Sequence, residues 1–161
     1  MASKQPIVKQ IAWVSMVPQL IILSIFILLA SLTGTQTPAI IGALAYIGMS
    51  RILKRTVAQH HHNGIALLKK EEFGQALEKF QESYDFFSHH KWIDDWRYVT
   101  LLSSSKVTYR EMALLNVAYC YAHLGEGDRS RVFYEKTLAQ FPDSAMAMTA
   151  IKMLDSAKSS I

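Results

Sequence analysis

Hydrophobic positions change their spacing once along the chain. From Ile11 to Leu53 they run almost unbroken, and no charged residue occurs in the 41 positions between Lys9 and Arg51. From Thr56 onward apolar residues recur every three or four positions, the spacing of amphipathic helices. No stretch alternates as a strand would. The pattern predicts an all-α chain made of an apolar N-terminal part and a helical body.

A single helix of 41 residues would span about 60 Å, twice the roughly 30 Å hydrocarbon core of a bilayer. Ser31, Thr33, Gly34, Thr35, Gln36, Thr37 and Pro38 interrupt the run, and these are turn formers. Residues 11–53 therefore read as a transmembrane helical hairpin, with helices at about 11–31 and 38–53. Ile21, Ile22, Leu23, Ile25, Phe26 and Ile27 make the first helix apolar all round. Ala39, Gly42, Ala43, Ala45 and Gly48 give the second a small-residue surface, suited to packing on the first helix or on a copy of itself. Lys4 and Lys9 precede the hairpin and Arg51, Lys54 and Arg55 follow it. The positive-inside rule then places residues 1–10 and the body in the cytoplasm and the turn outside. The expected location is a plasma or bacterial inner membrane, crossed twice. A cleaved signal peptide and a buried hairpin are the alternatives. The length of the first apolar run opposes the one, and the charge-free length opposes the other.

Gly74, Gly125, Gly127 and Pro142 divide the body into helices at about 56–70, 73–87, 92–104, 108–124, 127–140 and 144–158. Two pairs share a pattern. One carries Leu114, Val117, Ala118, Tyr121, Gly125, Ser130, Tyr134, Thr137 and Pro142. The other carries Gly64, Leu67, Phe73, Ala76, Phe80 and Ser83, in register when Gly64 is set against Ala118. Small residues at Gly64, Ala76, Ala118 and Ser130 suit the crossing of two helices, and large ones at Leu67, Phe80, Leu114, Tyr121 and Tyr134 fill the space beside it.

This spacing resembles the tetratricopeptide repeat over about residues 58–158. Ser130 and Thr137 stand where the motif has alanines. In the first copy His60 and Ser88 replace its first large residue and its closing proline. The resemblance implies an antiparallel helical-repeat domain over 56–161, with repeats at about 57–88 and 111–144 and a capping helix at about 144–158. Between the repeats lies an inserted helical segment, about 89–109, with Trp92, Trp96 and Val99 on one helical face.

Composition and charge narrow the function. One cysteine excludes an internal disulfide, and 50% hydrophobic content excludes a disordered chain. A net charge of +4 first suggests a polyanion partner. All of that excess lies in residues 1–57, which hold five basic residues and no acidic one; the body has 12 basic against 13 acidic residues. Nucleic-acid binding loses its support. No phosphate loop, nucleophile elbow or zinc-protease motif occurs. His60 to His62 and His89 to His90 are too closely spaced along a helix to chelate together. Cys120 sits in mid-helix among apolar residues and reads as structural. No catalytic residue, cofactor or metal site is expected.

The resemblance also implies a ligand face, formed by the inner side of each first helix. In this register it presents His61, His62, Ile65 and Lys69, then Met112, Leu115, Asn116, Tyr119 and His123. Asn116 falls where peptide-clasping members of the family carry an asparagine. The basic residues that complete that clasp have no counterpart here, and the inserted segment filling this face is the alternative. The expected function is non-catalytic: an adaptor or scaffold that binds a protein or peptide at the membrane, with membrane lipid as a second contact and homo-oligomerisation open. The alternative is a structural or assembly subunit of a membrane complex that uses the hairpin as its contact surface.

Overall fold

The computed structural model describes residues 13–158, and its regular elements are helices. A 3-10 turn, Trp13–Ser15, leads into α1 (Met16–Leu32). There follow α2 (Pro38–Val57), α3 (Gln59–Lys69), α4 (Phe73–His89), α5 (Lys91–Asp95), α6 (Arg97–Thr100), α7 (Tyr109–His123), α8 (Gly127–Gln140) and α9 (Ala145–Lys158). The chain divides into two compact units. Residues 13–54, together with Trp96–Val107, form the first; Arg55–Asp95 and residues 108–158 form the second.

In the first unit α1 ends where its polar residues predict. The hydroxyls of Ser31 and Thr33 donate back to the carbonyls of Leu28 and Ala30, and Gly34 turns the chain at φ 72°. Gly42 lets α2 approach the backbone of α1: a Cβ there would lie 2.7 Å from Ile27 Cα. Phe26 meets Tyr46 edge to face at 6.4 Å.

The expectation of a two-pass membrane protein is corrected here. Among the described residues no helix is both long and apolar enough to cross a membrane. The geometry gives the reason. α1 begins only at Met16, and its 17 residues reach about 25 Å, short of a roughly 30 Å core. α2 has 20 residues, but Arg51, Lys54 and Arg55 occupy its C-terminal part. The transmembrane hairpin, its orientation and the integral-membrane location fall together. Residues 1–10, read as a cytoplasmic N-terminus, lie outside the described residues.

The helix expected at 92–104 is instead two short helices separated at Trp96. Arg97 is buried, and its guanidinium donates to the carbonyls of Ser105 (3.0 Å) and Lys106 (2.6 Å). Those bonds draw the chain back on itself, and Leu102 takes φ 48° at the bend. Leu101, Leu102 and Val107 are buried in this unit, whereas Trp92, Trp96 and Val99 are exposed.

The second unit is built from two packed helix pairs, α3–α4 and α7–α8, with α4 packed on α7 and α9 on α8. The pairs repeat at the turn as well as in sequence. After α3, the N–H groups of Glu71 and Glu72 donate to the carbonyls of Leu68 and Leu67; after α7, those of Gly125 and Glu126 donate to Ala122 and Tyr121. Glu71 and Gly125 both take left-handed backbone, at φ 62° and 78°. Glu71 and Gly125 are separated by the same interval as Gly64 and Ala118, and so are Phe73 and Gly127, where the second helices begin.

Ala76, Phe80, Val117 and Cys120 form the buried centre, with Ile65, Leu67, Leu68, Leu77, Tyr121 and Phe133 packed against it. A Cβ at Gly64 would lie 2.7 Å from the Phe80 ring, so α3 and α4 cross at glycine contact. Leu114, Ala118, Ser130 and Thr137 are buried, Tyr134 is half-buried and Pro142 is exposed past the end of α8. Arg131 ties α8 to α9 through Asp155.

Candidate protein-binding face

The start of α7 is fixed twice. The Thr108 hydroxyl oxygen accepts from the N–H of Glu111 at 3.1 Å, a local N-cap. The buried carboxylate of Asp94 accepts from the N–H groups of Tyr109 (2.7 Å) and Arg110 (3.0 Å) and from Arg110 Nε (3.1 Å). Arg110 Nη2 also donates to Asp95 at 2.7 Å. A carboxylate at a helix N-terminus is stabilised by the orphan N–H groups and the helix dipole. Asp94 and Arg97 are buried, whereas Asp95 is exposed.

With α7 held in this way, its C-terminal end meets the start of α4. Phe73 stacks on His123, with ring centroids 4.4 Å apart and planes 15° apart. Tyr119 lies 4.3 Å from His123 and 6.4 Å from Phe73. Phe73 and Tyr119 are half-buried and His123 is exposed. The three rings make a small aromatic surface with a phenol and an imidazole at its rim. Such a surface can hold an apolar or aromatic side chain and donate or accept a hydrogen bond beside it.

The remaining residues of the expected face divide. His62 and Lys69 are exposed, and Met112 and Asn116 are half-buried. Ile65 is half-buried and packs on the core. Leu115 is buried.

His61 does not belong to an exposed face: it is 5% exposed, with ring centroids 5.6 Å from Phe80 and 5.3 Å from Tyr109. Its Nδ1 is buried without a hydrogen-bond partner. Burial, helped by the nearby His62, pushes its pKa down to about 4. Helical spacing could have revealed this, because His61, Gly64, Ile65 and Leu68 share one face of α3, the face turned to the core. Phe73, which the sequence reading placed only in the repeat pattern, joins this aromatic surface; its signal is an aromatic placed directly after a charged turn.

Other chemistry is sparse. His89 and His90 each donate from Nδ1 to a carbonyl one turn back, those of Asp85 (2.8 Å) and Phe86 (3.0 Å). His60 Nδ1 pairs with Glu82 at 2.7 Å, beside Lys79. Burial pushes the Cys120 thiol up to about 12, so the thiolate that a nucleophile needs is not formed near neutrality. Among the described residues no group of three or more His, Cys, Asp or Glu side chains could hold a metal ion. A shallow cleft of about 220 Å³ lies among α4, α7 and α8, lined by Tyr84, Asp85, Leu114, Val117, Phe133 and Lys136. Gln140 donates to the Tyr84 hydroxyl at 2.7 Å, and Lys136 Nζ sits 4.7 Å from the Tyr84 ring centre. No protein-family model, no curated protein and no solved structure matches this chain.

Proposed function

We propose that the second unit is a tetratricopeptide-like adaptor that binds a segment of another protein without catalysing a reaction. The observation that carries this reading is the aromatic surface that Tyr119 and His123, on the face that such repeats offer to ligands, form with Phe73 from the start of α4. The paired turns and the shared register of α3–α4 and α7–α8 support the family resemblance. Buried Cys120 and the carbonyl-bonded His89 and His90 leave few groups poised for chemistry, which favours binding over catalysis.

The test compares partners captured by the intact protein and by a Tyr119→Ala/His123→Ala variant, with each partner then measured by direct titration. His123 is exposed and Tyr119 half-buried outside the buried centre, so an unchanged circular dichroism spectrum is expected. Loss of a partner by the variant, at least tenfold in Kd, supports the reading. An unchanged partner set with unchanged affinities refutes it.

A further inference from the structure

The first unit carries more uncovered apolar surface than a monomer leaves in water. Fifteen large apolar side chains between Trp13 and Ile52 are exposed. Eight of them lie on α1 alone, and at about 100 Å² each these amount to on the order of 800 Å², against roughly 300–600 Å² for the largest patch of an ordinary monomer. That matches the roughly 800 Å² that each partner contributes to a standard interface.

Its pattern says what covers it. Along α1, Ile21, Ile25, Leu28 and Leu32 follow one another at intervals of four, three and four and are 56%, 49%, 62% and 76% exposed. That is a heptad seam, with Ile25 and Leu32 at one core position and Ile21 and Leu28 at the other. The opposite side of α1 is already used, because Phe26 and Ile27 face Tyr46 and Gly42 of α2. No charged residue occurs anywhere in α1, so two copies meet without like-charge repulsion and a charged partner finds nothing to pair with. Interfaces of this apolar kind are typical of homodimers.

We infer that α1 pairs with the α1 of a second copy of this chain as a short two-helix coiled coil, making the protein a homodimer. Ile25 and Leu28 are its central knobs. The dimer is isologous, so each substitution enters the interface twice.

The experiment is sedimentation equilibrium of the full chain in detergent-free buffer. The expected result is one species at twice the chain mass of 18.2 kDa. Ile25→Lys/Leu28→Lys should raise the dissociation constant on the order of 100-fold or more, because four ammonium groups would enter one apolar seam. Val132→Lys/Met153→Lys, an equal charge change at exposed positions of α8 and α9, should leave the dimer intact. A second variant does not depend on the lysines: with Cys120→Ser in place, Ile25→Cys should be captured by a short bis-maleimide, because position 25 lies near the middle of α1 and meets its own copy in either helix orientation. Val132→Cys should not be captured. A monomer at tens of micromolar overturns the proposal. So do particles of no fixed mass, dimers that survive both lysines, or a monomer that floats with phosphatidylcholine vesicles.

Discussion

His61 makes the second unit acid-sensitive in a way that can be isolated. Its ring is enclosed by Phe80 and Tyr109, and its pKa is about 4 in the folded chain against 6.5 for an ordinary histidine. The folded state therefore holds the neutral ring, while the unfolded chain takes up a proton as pH falls below 6.5. Stability is complete above that value and is lost as pH falls towards 4. A shift of that size corresponds to about 3 kcal/mol in full, of which about 2 kcal/mol is lost by pH 5.0. The assay is urea unfolding at pH 7.5 and pH 5.0 for the wild-type protein and for His61→Phe, which keeps an aromatic ring in the cluster. Other titrating groups, including Glu82 with its partners His60 and Lys79, contribute equally to both proteins. The difference between the two pH-dependent losses belongs to position 61. Wild type should lose about 2 kcal/mol more than His61→Phe between these values. Equal losses in the two proteins would refute the claim that His61 is held neutral in the core.

Three further predictions follow from packing. Gly64→Ala forces a Cβ against the buried Phe80 ring and should destabilise the second unit by about 1–3 kcal/mol in chemical unfolding. Ser130→Ala removes a buried hydroxyl that has no hydrogen-bond partner and should stabilise by about 1 kcal/mol, seen as a raised melting temperature. Glu71→Gly relieves left-handed backbone at the α3–α4 turn and should also stabilise, by about 1 kcal/mol, whereas Gly125→Ala should do the reverse.

Which features were legible in the sequence depended on how local their causes are. The helices of the second unit could be placed because the small residues and turns that set them act within a few positions. Gly125 announces its turn. Glu71 adopts the same backbone without announcing it, and the shared register reveals the equivalence. The inserted segment is helical as expected, but its break into two helices is not legible because its determinants are distant in sequence: Asp94 caps α7 across fifteen residues, and Arg97 donates to carbonyls eight and nine positions on. The repeat register sets His61 and Leu115 at matching positions of the ligand face, and both are buried instead, because that position of each first helix faces the core. The long apolar run was plain, but its environment was not. Where α1 begins, and which side of it α2 covers, decide whether the remaining surface is short or long, and only the assembled helices show that.

Of the aromatic surface, Tyr119 and His123 could be placed by register, since they lie four apart on α7. Phe73 could not, because it reaches them only through the antiparallel packing of α4 on α7.

The most direct test of the adaptor reading places a photo-crosslinking benzoylphenylalanine at position 119 and, separately, at Ala139, an exposed residue of α8. Irradiation of cells should yield discrete adducts of the protein with a partner from position 119 and none of the same mass from position 139. Identical adduct patterns from the two positions, or none from 119, would contradict the account.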